Sequence, residues 1–238
     1  MQDHDRLERM RFRDRRDAGR HLAARLEPYS IHHPLVLGIP RGGAIVAAEV
    51  ARWMDADFDV AVARKLQAPG APELALGAVT PDGARYVNHA LVSMLLVPER
   101  YLEAETVRQI ATAKLRSRFL RGADAAPPVE GRTVVIVDDG LATGATMLAA
   151  VRSLHAHHPA RLIAAAPVAS ADAHDLLVDV VDDVICLHCP SPFLAVGMYY
   201  QQFDPVDDEE VRIALAARRR PYTAPHASAD THACHWRS

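Results

Sequence analysis

Aromatic residues are scarce in this 238-residue chain, only 5% of the total. That scarcity leaves core packing to smaller apolar side chains. Cysteines number three, an odd and scattered set that gives no disulfide framework. No apolar run approaches the roughly 20 residues that a membrane-spanning helix needs. Neither charge sign dominates: 27 Lys and Arg against 30 Asp and Glu give a net charge of −3. A global basic field for nucleic acid and a polyacidic tail are both excluded. The opening residues, MQDHDRLERMRFRDRRD, lack the apolar stretch of a secretory signal. No internal period of 20 to 50 residues recurs. The expectation is a cytoplasmic, non-membrane protein with nucleic acid excluded as its main partner.

What is abundant is Ala and Val, as expected where small residues pack helices onto a sheet. Short β-branched runs alternate with longer helical patterns, and Gly and Pro punctuate the junctions. Strands are expected at Leu35–Ile39, Phe58–Ala63, Thr133–Val137, Leu162–Val168 and Val184–Leu187. Helices are expected at Ala44–Met54, Pro98–Phe119, Gly144–His157 and Ala171–Val178. The runs Leu74–Val79 and Ala84–Asn88, separated by Pro81-Asp82-Gly83, predict a hairpin. Near-continuous apolar strands separated by helices imply an α/β fold with a mainly parallel twisted sheet covered on both faces. One domain is expected over residues 1–217, with Gly122–Gly131 a loop inside it and residues 218–238 a tail.

Val134 to Thr146, VVIVDDGLATGAT, carries the most chemistry. A buried strand ends in Asp138 and Asp139, and a small-residue stretch then opens a helix. Open α/β sheets bind ligands at that edge. Ala142, Thr143, Gly144 and Ala145 expose backbone N–H groups, the helix start adds partial positive charge, and the Thr143 and Thr146 hydroxyls add donors, so an anion such as phosphate fits. Asp138 and Asp139 would repel that phosphate. They are expected instead to accept hydrogen bonds from neighbouring hydroxyls or to hold a hydrated magnesium. A generic strand-to-helix turn is the competing explanation.

This segment resembles the thirteen-residue signature of the type I phosphoribosyltransferases. Ala145 stands where a second glycine is common. The resemblance implies a type I phosphoribosyltransferase fold with a small hood and a flexible lid. It also implies that Asp138 and Asp139 contact the ribose hydroxyls of 5-phosphoribosyl 1-diphosphate, while Ala142 to Thr146 cradle its 5′-phosphate.

GIPRGG at 38–43 is similar to the family's pyrophosphate loop, often marked by an unusual peptide conformation. Its Arg41, Gly42 and Gly43 supply planar donors and exposed N–H groups. Arg64 and Lys65 resemble the basic pair that precedes the lid in purine-type members. Side chains alternate on a strand, so one of the two, with Lys65 preferred, is expected to face the pyrophosphate. Gln67–Leu74, with two prolines and a glycine, is the expected lid, and its Glu73 is a candidate general base.

The family's reaction displaces pyrophosphate through an oxocarbenium-like state, with magnesium as cofactor. GIPRGG, ARKLQAPGAPELALGAV, VDDGLATGAT and FLAVGMYYQQFDPVDDEEV together resemble stand-alone bacterial phosphoribosyltransferase-like proteins, over roughly residues 10 to 217. The implied partners are the sugar diphosphate, a nitrogenous acceptor (a nucleobase for one) and a second copy of the chain in a homodimer. A hood over the acceptor would draw on the amino-terminal segment, the hairpin or Pro190–Phe203. Phe193, Tyr199 and Tyr200 stand there as stacking surface or as core. The competing function is a non-catalytic sensor of the same sugar diphosphate or of a nucleotide.

Two further features are assigned structural roles. Cys186 and Cys189 have the C-x-x-C spacing of a zinc or redox site, but no second close pair completes four ligands, so thiols at a strand end are expected. His155, His157 and His158 close a helix, where a cation suits the dipole.

Overall fold

The computed structural model describes residues 11–122 and 125–218. Its main sheet has five parallel strands in the order β2-β1-β6-β7-β8: β1 (Leu35–Gly38), β2 (Asp57–Val60), β6 (Thr133–Val137), β7 (Arg161–Val168) and β8 (Asp183–His188). A second, antiparallel sheet has the order β3-β4-β5, with β3 (Arg64–Ala68), β4 (Ala71–Val79) and β5 (Arg85–Val87).

Alternation along the apolar strands divides the core into two layers. Val36, Val135, Val137, Ile163 and Ala165 face a layer that includes helices α1 (Arg15–Leu26), α2 (Gly42–Met54), α4 (Glu99–Arg121) and α7 (Asp208–Arg218). Leu35, Leu37, Val134, Ile136, Leu162 and Ala164 face α5 (Ala145–His155) and α6 (Ala171–Val178). A short helix, α3 (His89–Met94), links the second sheet to α4. The abundance of Ala now has a location: Ala44, Ala47 and Ala51 on α2 are fully buried against the sheet. Such residues let helix and strand backbones approach closely.

The predicted hairpin around Pro81-Asp82-Gly83 forms, with Gly77 opposite Val87. Two expectations need correction. The second strand ends at Val60, and Arg64-Lys65 opens a strand of the other sheet. The expected lid, Gln67–Leu74, is a β-hairpin rather than an irregular loop. Pro69-Gly70 makes its turn, with Gly70 at φ +73°, and Pro72 lies where the β3–β4 register shifts. Proline is tolerated at such an irregularity because no regular ladder bond is lost.

Helix α1 went unpredicted. Its N-cap Asp14 accepts a hydrogen bond from Asp17 N–H at 2.7 Å. Part of the expected Gly122–Gly131 loop and all but the first residue of the expected tail lie outside the described residues. No helix among the described residues is long and apolar enough to cross a membrane.

Candidate active site

Parallel pairing of Gly38 with Val137 sets two strand-to-helix junctions side by side. The first runs through Pro40 and Arg41, joined by a cis peptide bond, into α2. The unusual peptide expected there is present. The second runs from Asp138 to Gly144 and into α5.

Gly42 and Gly43 are required by proximity. A methyl group on Gly42 would overlap Asp139 Oδ2, and one on Gly43 would lie 2.7 Å from Asp138 Cα. Arg41 itself is exposed at the N-cap of α2. Gly144 caps α5 in the left-handed region, φ +68°, where a side chain is disfavoured. The N–H groups of Ala142, Thr143 and Gly144 meet no acceptor among the described residues, while the Ala142 carbonyl accepts from Ser170 Oγ at 2.7 Å. Ala145 N–H lies 3.4 Å from Thr143 Oγ1, and Thr146 is exposed. Unpaired N–H groups at a helix start are able to receive an anion.

Both acids are present at the end of β6, in unequal settings. Asp138 Oδ1 accepts from Asp139 N–H at 2.9 Å. Burial, reinforced by the neighbouring Asp139 carboxylate, pushes the Asp138 carboxyl well above the usual range. Asp139 Oδ2 instead receives Arg15 Nε at 2.8 Å, and its carbonyl accepts Tyr200 OH at 2.6 Å. The two carboxylates are hard oxygen ligands. Among the described residues, no group of three or more His, Cys, Asp or Glu side chains could hold a metal ion. Two carboxyl groups alone would leave most of the six positions around a magnesium to other oxygens.

On the opposite side, Pro40, Arg64, Lys65, Gln67, Arg116 and Thr146 line a cavity of about 250 Å³. The base of the hairpin, the cis-peptide loop and the start of α5 therefore share one space. Arg64 Nε donates to Gln109 Oε1 at 3.3 Å, whereas the Lys65 side chain makes no hydrogen bond or ion pair with a described residue. Arg64 and Lys65 are both among the residues that line this cavity. Arg116, which the sequence did not single out, also reaches it and is paired with Asp208 at 2.7 Å. Glu73 lies on β4, and its side chain is outside the described residues.

The hairpin is fastened to α4 through Glu105, which is only 4% exposed. Glu105 Oε1 accepts Gln67 N–H at 3.1 Å and Gln109 Nε2 at 2.9 Å, and Oε2 accepts Arg108 Nε at 2.8 Å. Burial alone would raise this carboxyl, but those donors outweigh it and hold the group below its ordinary value.

Two of the three segments considered for a hood, the amino-terminal one and Pro190–Phe203, pack against each other. Phe12 bridges to Tyr200, and Phe12, Tyr199 and Tyr200 form a small buried core. Tyr199 and Tyr200 are thus core residues, with Phe193 stacked on Tyr199 at 5.6 Å. The hairpin belongs to the other sheet. Cys186 and Cys189 are free thiols; burial first, and Cys189 second, push the Cys186 thiol up to about 12, so it stays protonated.

With these features in place, the chain belongs to the phosphoribosyl transferase domain family, which matches residues 13–202. Its fold is that of the type I phosphoribosyltransferases. Two relatives from strains of Mycobacterium tuberculosis, provisionally named phosphoribosyl transferases, are 42% identical over 212 residues. The match covers 89% of this chain and 48% of theirs, so the chain spans about half the length of those relatives. The crystal structure of TT1426 from Thermus thermophilus is 42% identical, with a TM-score of 0.79, covering 87% of this chain and 99% of that one.

Proposed function

We propose that this protein transfers ribose 5-phosphate from 5-phosphoribosyl 1-diphosphate to a nitrogenous acceptor and releases pyrophosphate. The observation that carries this reading is the shared cavity, in which Thr146, the last residue of the proposed phosphate cradle, lies with Arg64 and Lys65. The 5′-phosphate takes the Ala142–Thr146 N–H groups, the ribose hydroxyls donate to Asp138 and Asp139, and the diphosphate meets Arg64, Lys65 and the Arg41-Gly42-Gly43 loop. Positive charge develops on the ribose ring as the bond to pyrophosphate breaks, beside the Asp139 carboxylate, and the cations take up the negative charge on the leaving group. Asp138 and Asp139 would hold a magnesium ion, which would supply further neutralisation of charge at that leaving group. Glu73 on β4 serves as the general base for the acceptor nitrogen. Buried Tyr199 and Tyr200 offer the acceptor no stacking face. The proposed assembly is a homodimer, to be read from mass in solution.

The test is calorimetric titration of the protein with phosphoribosyl diphosphate and magnesium, repeated with Asp138→Asn/Asp139→Asn. Binding by the native chain and its loss in the double variant are expected; undiminished binding by the variant would sink the site assignment. Pyrophosphate release across purines, pyrimidines and small amines then measures turnover. Tight donor binding with no release for any acceptor would favour the sensor instead.

A further inference from the structure

The ribose end of the site contains one cation that phosphate chemistry does not call for. Arg15, the first residue of α1, has Nε 2.8 Å from Asp139 Oδ2, Nη1 2.8 Å from the Asp204 carbonyl and its guanidinium 3.9 Å from the Phe203 ring centroid. The two ion-paired side chains are 11% and 16% exposed, so the pair is largely shielded from water. Phe203 is itself stacked on Tyr200 at 4.9 Å, and Tyr200 OH holds the Asp139 carbonyl. Two hood segments, far apart in sequence, therefore converge on a single strand-end carboxylate.

We propose that Arg15 is the positioning residue for the donor ribose. It occupies Oδ2 of Asp139 and fixes the carboxylate plane, leaving Oδ1, which has no nitrogen donor among the described residues, as the oxygen for a ribose hydroxyl. A carboxylate held this way does not have to be ordered when the sugar arrives. Gly42 makes the arrangement possible, because a side chain there would meet both Asp139 Oδ2 and Arg15 Nε. Phe203 and the Asp204 carbonyl set the guanidinium plane, so a lysine, lacking that plane, cannot reproduce it. The proposal rests on the phosphoribosyl diphosphate reading above.

The experiment measures two ligands against native protein, Arg15→Ala and Arg15→Lys in the presence of magnesium. One ligand is phosphoribosyl diphosphate; the other is inorganic pyrophosphate, which lacks the ribose. Arg15→Ala is expected to weaken phosphoribosyl diphosphate by about 10- to 100-fold, the range for a hydrogen bond to a charged group, and to leave pyrophosphate within about twofold. Added ethylguanidine should restore part of the lost affinity. Arg15→Lys, which keeps the charge and the fold, should fall between the two. Unchanged sugar diphosphate affinity in both variants, or equal loss of both ligands with no guanidine rescue, would overturn the role of Arg15 alone. Failure of the native protein to bind phosphoribosyl diphosphate would overturn the donor reading and this role with it, and is recognised before any variant is compared.

Discussion

The two poles of the site are held in different ways. At the ribose pole, Asp139 is fixed by Arg15 and Tyr200, and Asp138 is seated over Gly43 at the end of a strand whose last four residues are fully buried. At the diphosphate pole, the hairpin is anchored at its root by Glu105, Gln109 and Tyr101, while the tip from Pro69 to Pro72 is exposed. The first pole is set before ligand arrives. The second presents Lys65 on an element with few apolar contacts at its tip, the usual character of parts that move around a ligand. On the proposed function, the firmly held pole lies where a sugar is oriented, and the exposed hairpin tip lies where a polyanion enters and leaves.

The strongest way to break that contrast is Gly42→Ala. The added methyl overlaps Asp139 Oδ2, so the buried Arg15–Asp139 pair must open. Displacing these side-chain ends weakens one hydrogen bond between charged groups, a cost of about 1.5–3 kcal/mol. For a chain of this size, that corresponds to a fall in melting temperature of about 5 °C, measurable by calorimetry. An unchanged melting temperature would show that Asp139 is not rigidly held.

A smaller effect is expected at the hairpin root. Glu105→Gln removes a charge that accepts from Gln67, Gln109 and Arg108, a loss of about 1–3 kcal/mol. Amide exchange should rise across β3 and β4 and stay unchanged in β6. Equal acceleration in both would erase the distinction between the poles. The native Glu105 carboxyl is held below its ordinary value of 4.5, so the unfolded chain binds more protons in that range. The stability it contributes is complete above about pH 4.5 and is lost as pH falls through the lower folded value. Glu49, burdened by burial but held down by Arg52, Trp53 and Arg20, behaves alike. Acid melts of Glu105→Gln should therefore show a shallower decline than the native protein.

Local chemistry was legible where it depended on neighbours in sequence. The β-branched run of β6, the acid pair and the small-residue cradle are contiguous, so periodicity and residue type located them. The hairpin was misread because Pro69, Gly70 and Pro72 are breakers in most contexts, while here the turn and a register shift absorb them. Arg15 was illegible for another reason. Arg11, Arg13, Arg15 and Arg16 look alike in sequence, and what distinguishes Arg15 is a partner 124 residues away. The same holds for Glu105, whose role follows from the surface of α4 that meets the hairpin. Sequence chemistry found the groups expected to touch ligand; the groups that hold them in place required the fold.

The smallest effect on folding, and the sharpest on function, is expected from Lys65→Ala. The Lys65 side chain has no hydrogen bond or ion pair with a described residue, so its removal should change stability by no more than about 0.5 kcal/mol. Arg64 makes the useful control, because its guanidinium is already engaged by Gln109 and its loss disturbs the hairpin root as well. If Lys65 is the cation kept for the leaving group, Lys65→Ala should weaken inorganic pyrophosphate by about tenfold or more and flatten the salt dependence of that binding, with the melting temperature unmoved. Arg64→Ala should lower both. Matching losses of stability in the two variants would place Lys65 in the framework of the hairpin, and the division between a held pole and a ligand-facing pole would then fail at its second half.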